Sequence, residues 1–298
     1  TVITARYLIY KFGGNTFPHP PIISIVPLFS TSFFGLSDLS LKFVSFIIYF
    51  VFAIYYFLRK KNFNNNFDAF LITLSFFGIP GILFLGSSLE QALFSMICFS
   101  IVAIELIINQ NIKYKKLFII ILFFSLFRIL SILSLILIAA HILLKSNSIK
   151  DFFTNAINAT KESYPLLLLV PFIIFSFTSN QNITIDRVGF DFLDTKFFLY
   201  DLPYSLIDGF TIVAGILVIT TFLILFFFIK KTFLLYFFLI LSVLVYGNVV
   251  LHDNKYIYEI FFPILLSSTL VYFHLIKNKW LKNIAIVFLI SCNISHFF

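Results

Sequence analysis

Apolar residues run along the chain in long unbroken stretches, at about 22–34, 39–58, 68–86, 89–108, 117–144, 164–179, 203–229, 232–251, 257–276 and 283–298. None shows the two-residue alternation of a barrel strand, so each predicts a helix buried on all sides or facing lipid. Lipid offers a bare backbone no hydrogen bonds, which leaves helices as the spanning element for runs of this length. The pattern predicts one all-α integral domain over 1–298, a polytopic transmembrane bundle of about 8–11 spans at roughly 20 residues per crossing.

Composition strengthens that reading. The 298 residues are 60% hydrophobic and 11% charged, with a mean hydropathy of +1.04. A soluble domain carries about 25% charged residues and has no means of hiding so much apolar surface. The 45 Phe, with abundant Ile, Asn and Lys, match the product of an AT-rich coding sequence and imply no aromatic-binding role. Cys98 and Cys292 both fall inside apolar runs, which argues against a structural disulfide or a metal-site pair. A net charge of +8 is spread in small clusters between apolar runs, without the single basic stripe of a nucleic-acid binder.

Those clusters carry topology. Arg59, Lys60 and Lys61; Lys113, Lys115 and Lys116; Lys145, Lys150 and Lys161; Lys230 and Lys231; and Lys277, Lys279 and Lys282 hold 14 of the 21 Lys and Arg. Loops rich in Lys and Arg stay cytoplasmic. The acidic residues fall in other connections: Asp186, Asp191, Asp194 and Asp201 crowd 180–202, Asp253 and Glu259 share another, and Glu90 marks a third. These are expected to face outward, as is the loop 1–21, in a multi-pass protein of a bacterial cytoplasmic membrane. The run 117–144 both follows and precedes a basic loop, so it must cross an even number of times. At 1.5 Å per residue it reaches only about 42 Å, enough for a hairpin of two short helices. Its midpoint, Arg128, is then expected at the outer side, facing the protein interior or a wet cavity because a cation in lipid is costly. The stretch KSNSIKDFFTNAINATKES at 145–163 mixes Phe152, Phe153, Ala156 and Ile157 with Lys and Asp. It predicts an interfacial cytoplasmic helix. The Asn-rich 62–66 predicts a short solvated loop, and Asp38 is read as a cap for the helix that follows it.

The start of the chain concentrates unusual residues: Arg6, Tyr7, Tyr10, Lys11, Gly13 and Gly14, then Phe17-Pro18-His19-Pro20-Pro21. Three prolines around one His stiffen the segment and delay any span helix to Pro21. The segment PHPPIISIVPLFSTSFFGLSDLSLKFVSFIIYFVFAIYYFLRKK resembles the GT-C superfamily of polyprenyl-phosphate-sugar glycosyltransferases, in the branch of protein O-mannosyltransferases and lipid A aminoarabinose transferases. His19, Pro20, Pro21, Phe34, Gly35, Ser37, Asp38 and Lys42 carry that likeness. GIPGILFLGSSLEQALF, with Glu90, SLFRILSILSLILIAAHILL, with Arg128, and HDNKYIYEIFFPILL, with Lys255, Tyr256 and Pro263, resemble later stretches of the same family.

The resemblance implies a membrane glycosyltransferase that moves a sugar from a polyprenyl-phosphate donor to a lipid, glycan or protein acceptor at the outer face. It implies catalytic roles for Glu90 and His19, and substrate binding by Arg128, Lys255, Tyr256, Pro20 and Pro21. The chemistry agrees, since transfer from a lipid phosphate needs a carboxylate to activate the acceptor and cations to stabilise the departing phosphate. The family's catalytic Asp precedes a segment like TARYLIYKFGG, and here no acidic residue precedes Asp38. With no initiator Met either, the expectation is a chain lacking its amino-terminal segment and that Asp. No particular cofactor is implied beyond a divalent cation, which the cluster at 186–201 could contact if it does not contact the acceptor. The competing expectation is a multi-pass transporter or lipid flippase, for which Gly78, Pro80, Gly81, Pro171 and Pro263 supply helix breaks. A third is a scaffolding membrane subunit.

Overall fold

In a computed structural model of the chain the described residues are 30–35, 37–62, 64–87, 92–108 and 112–171, then single positions and pairs between 259 and 291. Among them all regular structure is helical. The first full helix, α1 (Asp38–Lys60), starts where the chain leaves Gly35 at φ +76°, a left-handed backbone that glycine adopts without a Cβ penalty. Ser37 caps it. The Ser37 hydroxyl accepts from the Ser40 amide at 3.1 Å, and the Ser40 hydroxyl accepts from the Ser37 amide at 3.0 Å. This reciprocal box corrects the expected cap at Asp38, which is the first residue inside the helix. At the other end Arg59 and Lys60 occupy the last turn, where cations complement the helix dipole.

The 23 residues of α1 extend about 34 Å, close to the thickness of a hydrocarbon core. Tyr49, Phe52 and Tyr56 point into the bundle, while Phe46, Phe50, Val51 and Ile54 are exposed. The chain then turns through 61–65, and the Asn65 side chain accepts from the Asp68 amide at 2.7 Å to start α2 (Asn66–Phe77).

The run 68–86 is two helices. After Gly78, Pro80 opens α3 (Pro80–Ser87), inclined 80° to α2. Proline disfavours helical backbone at the preceding residue and suits the first position of a new helix. Tyr49 braces the corner: its ring lies 5.4 Å from that of Phe77, its hydroxyl donates to the Phe77 carbonyl, and Gly86 packs flat on its face. A Cβ at Gly86 would come within 2.5 Å of the ring, so only glycine fits there.

The helix α4 (Ala92–Ile108) is the core, with 14 of its 17 residues buried. It packs against α1 on one side and against the following hairpin on the other. That hairpin consists of α5 (Tyr114–Ser125), a 3-10 turn (Ile129–Leu133) and α6 (Ser134–Lys145). Its open ends meet, with the Tyr114 ring 6.5 Å from that of His141. The tip is clamped to α4 by Phe127, stacked on Phe94 at 4.7 Å and 11°. Each leg has 12 residues, or about 18 Å, as the charge parity predicts. Ser148, accepting from the Asp151 amide at 3.1 Å, then caps the amphipathic α7 (Ile149–Glu162), and a 3-10 turn (Tyr164–Leu169) follows.

Among the described residues one helix, Lys42–Lys60, is long and apolar enough to cross a membrane, and the bent α2–α3 pair qualifies if counted as one broken span. Ala92–Ile108 and Leu130–Lys145 are apolar but shorter. The expected spans at 203–229, 232–251, 257–276 and 283–298, and the acidic loop 180–202, lie wholly or mostly outside the described residues.

Candidate functional site at the hairpin tip

Among the described residues two clusters of charge are buried, one toward each end of α4. At the hairpin tip Arg128 adopts extended backbone, φ −143° and ψ 107°, between α5 and the 3-10 turn. Its amide donates to the Phe124 carbonyl at 2.9 Å and its carbonyl accepts from the Ser131 amide at 2.9 Å. The tip therefore has a fixed shape. The side chain runs inward, so that Arg128 is only 6% exposed. Its Nε lies 3.3 Å from Oε1 of Glu259, itself 1% exposed. The same carboxylate oxygen accepts from the Ser95 hydroxyl at 2.5 Å. Three distant segments of the chain thus converge on one oxygen.

Further polar groups surround the tip. The hydroxyls of Ser125 and Ser131 are buried with no hydrogen-bond partner among the described residues. One turn along α4 from Ser95, the Cys98 thiol lies 3.3 Å from the Ser134 hydroxyl and 3.9 Å from the Ser131 carbonyl. In the segment that supplies Glu259, the buried Ser267 hydroxyl bonds back to the Pro263 carbonyl at 2.6 Å.

The second cluster joins the C-terminal ends of α1 and α4. Glu105 accepts from the Tyr55 hydroxyl at 2.6 Å and forms an ion pair with Arg59, whose guanidinium stands 5.5 Å over the Tyr55 ring. Lys113 and Lys115 lie nearer to Glu105 in sequence, but the helix packing sets Arg59 against it. Arg59 keeps 26% of its side chain exposed while Glu105 is almost fully buried. We read this cluster as a strut between two helices.

Of the residues singled out from sequence, Arg128 is described and occupies the protein interior at a hairpin tip, as expected. His19, Pro20, Pro21, Glu90, Lys255 and Tyr256 lie outside the described residues, as does the acidic cluster at 186–201. Among the described residues no group of three His, Cys, Asp or Glu is placed to hold a metal. No family model, curated protein or solved structure matches the chain.

Sequence reasoning missed Glu259 as the partner of Arg128. It places Glu259 in a short outward-facing connection, whereas Glu259 is helical and buried. The available signal was one of sign: each is the one charged residue inside a long apolar run, and buried charges survive only in pairs. Ser95 gave no signal, because a single Ser in a buried helix usually bonds its own backbone.

Chemically, the tip offers a cation and a carboxylate taken out of water and surrounded by hydroxyls. At low dielectric each group interacts far more strongly with an incoming charge than it would at a solvated surface. An anion such as a phosphate ester is the natural ligand for the guanidinium, and the carboxylate is a proton acceptor when released from it.

Proposed function

We propose that the chain belongs to a multi-pass membrane glycosyltransferase that takes its sugar from a polyprenyl-phosphate donor at the outer face of a cytoplasmic membrane. The observation that carries this reading is the desolvated Arg128–Glu259 pair at the tip of a hairpin whose other end is basic. Lys113, Lys115, Lys116 and Lys145 cluster where the Tyr114 and His141 rings meet. Positive ends stay inside, so the tip with Arg128 belongs outside, near headgroup height. The exposed Phe46, Phe50, Val51 and Ile54 face of α1 is what a lipid-facing helix presents.

In the proposed reaction the acceptor hydroxyl or amine attacks the anomeric carbon of the donor sugar. The bond from that carbon to the phosphate oxygen breaks, and the polyprenyl phosphate leaves with the electron pair. Direct displacement inverts the sugar carbon. Arg128 holds the departing phosphate in place of, or beside, the Glu259 carboxylate, and Lys255, four residues before Glu259 in sequence, supplies a second cation. Glu90 orients the acceptor or donor sugar and His19, between Pro18 and Pro20, places the reactants; Tyr256, Pro20 and Pro21 shape the binding surface. The acceptor proton passes to a carboxylate.

Arg128→Ala in the full-length protein is expected to lower transfer from a polyprenyl-phosphate sugar by at least about 100-fold, the loss typical of removing one charge-stabilising group. Unchanged turnover overturns the assignment. A second reading, a transporter or flippase without covalent chemistry, is favoured by the 80° break between α2 and α3, since broken helices line substrate paths in transporters. Movement of donor across the bilayer without sugar transfer would select it.

A further inference from the structure

Along the flank of the hairpin, from Leu135 near the tip to Ile142 and Phe118 toward the open, lysine-bearing end, a cavity of about 270 Å³ opens between the hairpin and α7. Phe118 of α5, Leu135 and Ile138 of α6, and Phe152 and Ala156 of α7 form its walls, and Thr160 and Ser163 give it a polar edge. No charged side chain lines it. The outer face of α7 carries a second apolar feature. Ile149, Phe153 and Ile157 are 78%, 59% and 55% exposed, and their spacing of four places them on one face. Exposed Leu167 and Leu168 follow in the adjoining 3-10 turn.

Charge frames this apolar surface. Lys113, Lys115, Lys116, Lys145, Lys150 and Lys161 are all exposed at this end, against Asp151 and Glu162. Glu162 is engaged by the Lys115 amide at 2.7 Å, and the Lys115 ammonium stands 5.1 Å over the Tyr164 ring. Both contacts hold Lys115 close to Ser163, at the polar edge of the cavity. A helix with an apolar outer face and surrounding lysines matches the headgroup layer of an anionic leaflet, which attracts basic segments and accepts apolar side chains just beneath the surface.

We infer that this cavity binds one acyl chain of an anionic phospholipid, with Lys115 and Lys161 beside the headgroup and α7 lying along the cytoplasmic surface. The assignment rests on the membrane reading above and is independent of the sugar chemistry. The hydrocarbon lining selects a chain, and the lysines select the negative headgroup.

The test reconstitutes the full chain in bilayers of phosphatidylglycerol or of phosphatidylcholine, each carrying a trace of the same lipid with a photoreactive group at the acyl terminus. Peptide mapping should find label on Phe118 and on 152–156 several-fold above that on Phe46 and Phe50 of α1, and only in phosphatidylglycerol. Ala156→Trp, which fills the cavity, should abolish cavity labelling and leave α1 labelled. Lys115→Glu with Lys161→Glu, at exposed positions that leave the core intact, should remove the preference for phosphatidylglycerol. Cavity labelling no stronger than that of α1, or equal in the two lipids, overturns the proposal and leaves the membrane reading standing. Protection of Ile149, Phe153 and Ile157 that depends on protein concentration, as a second copy would give, also overturns it. Absence of label from α1 as well overturns both.

Discussion

Replacing Arg128 with Ala removes an ion-pair partner from the Glu259 carboxylate, which is 1% exposed and also accepts from the Ser95 hydroxyl. Two unit charges at 3.3 Å attract by about 5 kcal/mol at an effective dielectric of 20. Breaking one side of a buried pair costs about 3–5 kcal/mol, because the survivor's charge stays out of water with that attraction lost, or its protonation changes. Arg128→Ala and Glu259→Ala should each lower unfolding stability in mild detergent by about that amount. The double variant Arg128→Met with Glu259→Leu removes both charges and fills the space with hydrocarbon, an exchange that is often neutral or stabilising. It should unfold close to wild type, within about 1–2 kcal/mol after allowing for imperfect repacking. The cycle then separates two roles of one residue, since the double variant should be stable yet transfer no sugar. Single-variant losses below about 1 kcal/mol, the range of a solvated pair, would refute the buried pairing. A double variant no more stable than the singles would refute the coupling.

Other expectations follow from the packing. Gly86→Ala should destabilise by about 1–3 kcal/mol through overpacking against the Tyr49 ring, and adding Tyr49→Leu should return part of that loss in the same unfolding assay. Ser37→Ala should cost about 1 kcal/mol by removing the cap of α1, whereas Asp38→Ala should cost less. Arg59→Lys should weaken the Glu105 strut, because an ammonium has no planar fork to meet a carboxylate; the readout is faster proteolysis in the 61–65 turn. Cys98, fully buried against Ser134, should resist maleimide in the folded protein and react on unfolding. Cysteines introduced at 60–66 should label from the cytoplasmic side and those at 186–201 from outside; the reverse would sink the topology and the site together.

The sequence disclosed those features that depend on local pattern or on the cost of exposed charge. Alternating apolar runs and basic punctuation required 117–144 to turn back on itself, and the Tyr114–His141 contact is that turn seen from its open end. Arg128 could be assigned to the interior because lipid would not hold it. Gly78 and Pro80 marked a break, but the size of the bend, 80°, depends on Tyr49 bracing the corner from another helix. What stayed illegible was partner choice. Ser37 and Asp38 are equally good caps by type, and the left-handed turn at Gly35 decides between them. Glu105 has lysines nearby in sequence, yet helix packing carries Arg59 to it from 46 positions away. Arg128 and Glu259 stand 131 positions apart, a pairing that only the tertiary fold can make. The rest of the expected site, from His19 to Tyr256, lies outside the described residues and stands on the resemblance alone.

The most direct test of the account gives the full-length protein, in vesicles of known orientation, a polyprenyl-phosphate donor with a labelled sugar and follows both sugar transfer and donor movement. Labelled sugar should appear on an acceptor only when donor is supplied on the face bearing Arg128, and Arg128→Ala should abolish it while the basic face stays inert. Donor crossing the bilayer with its sugar still attached, and no transfer from either face, would contradict it.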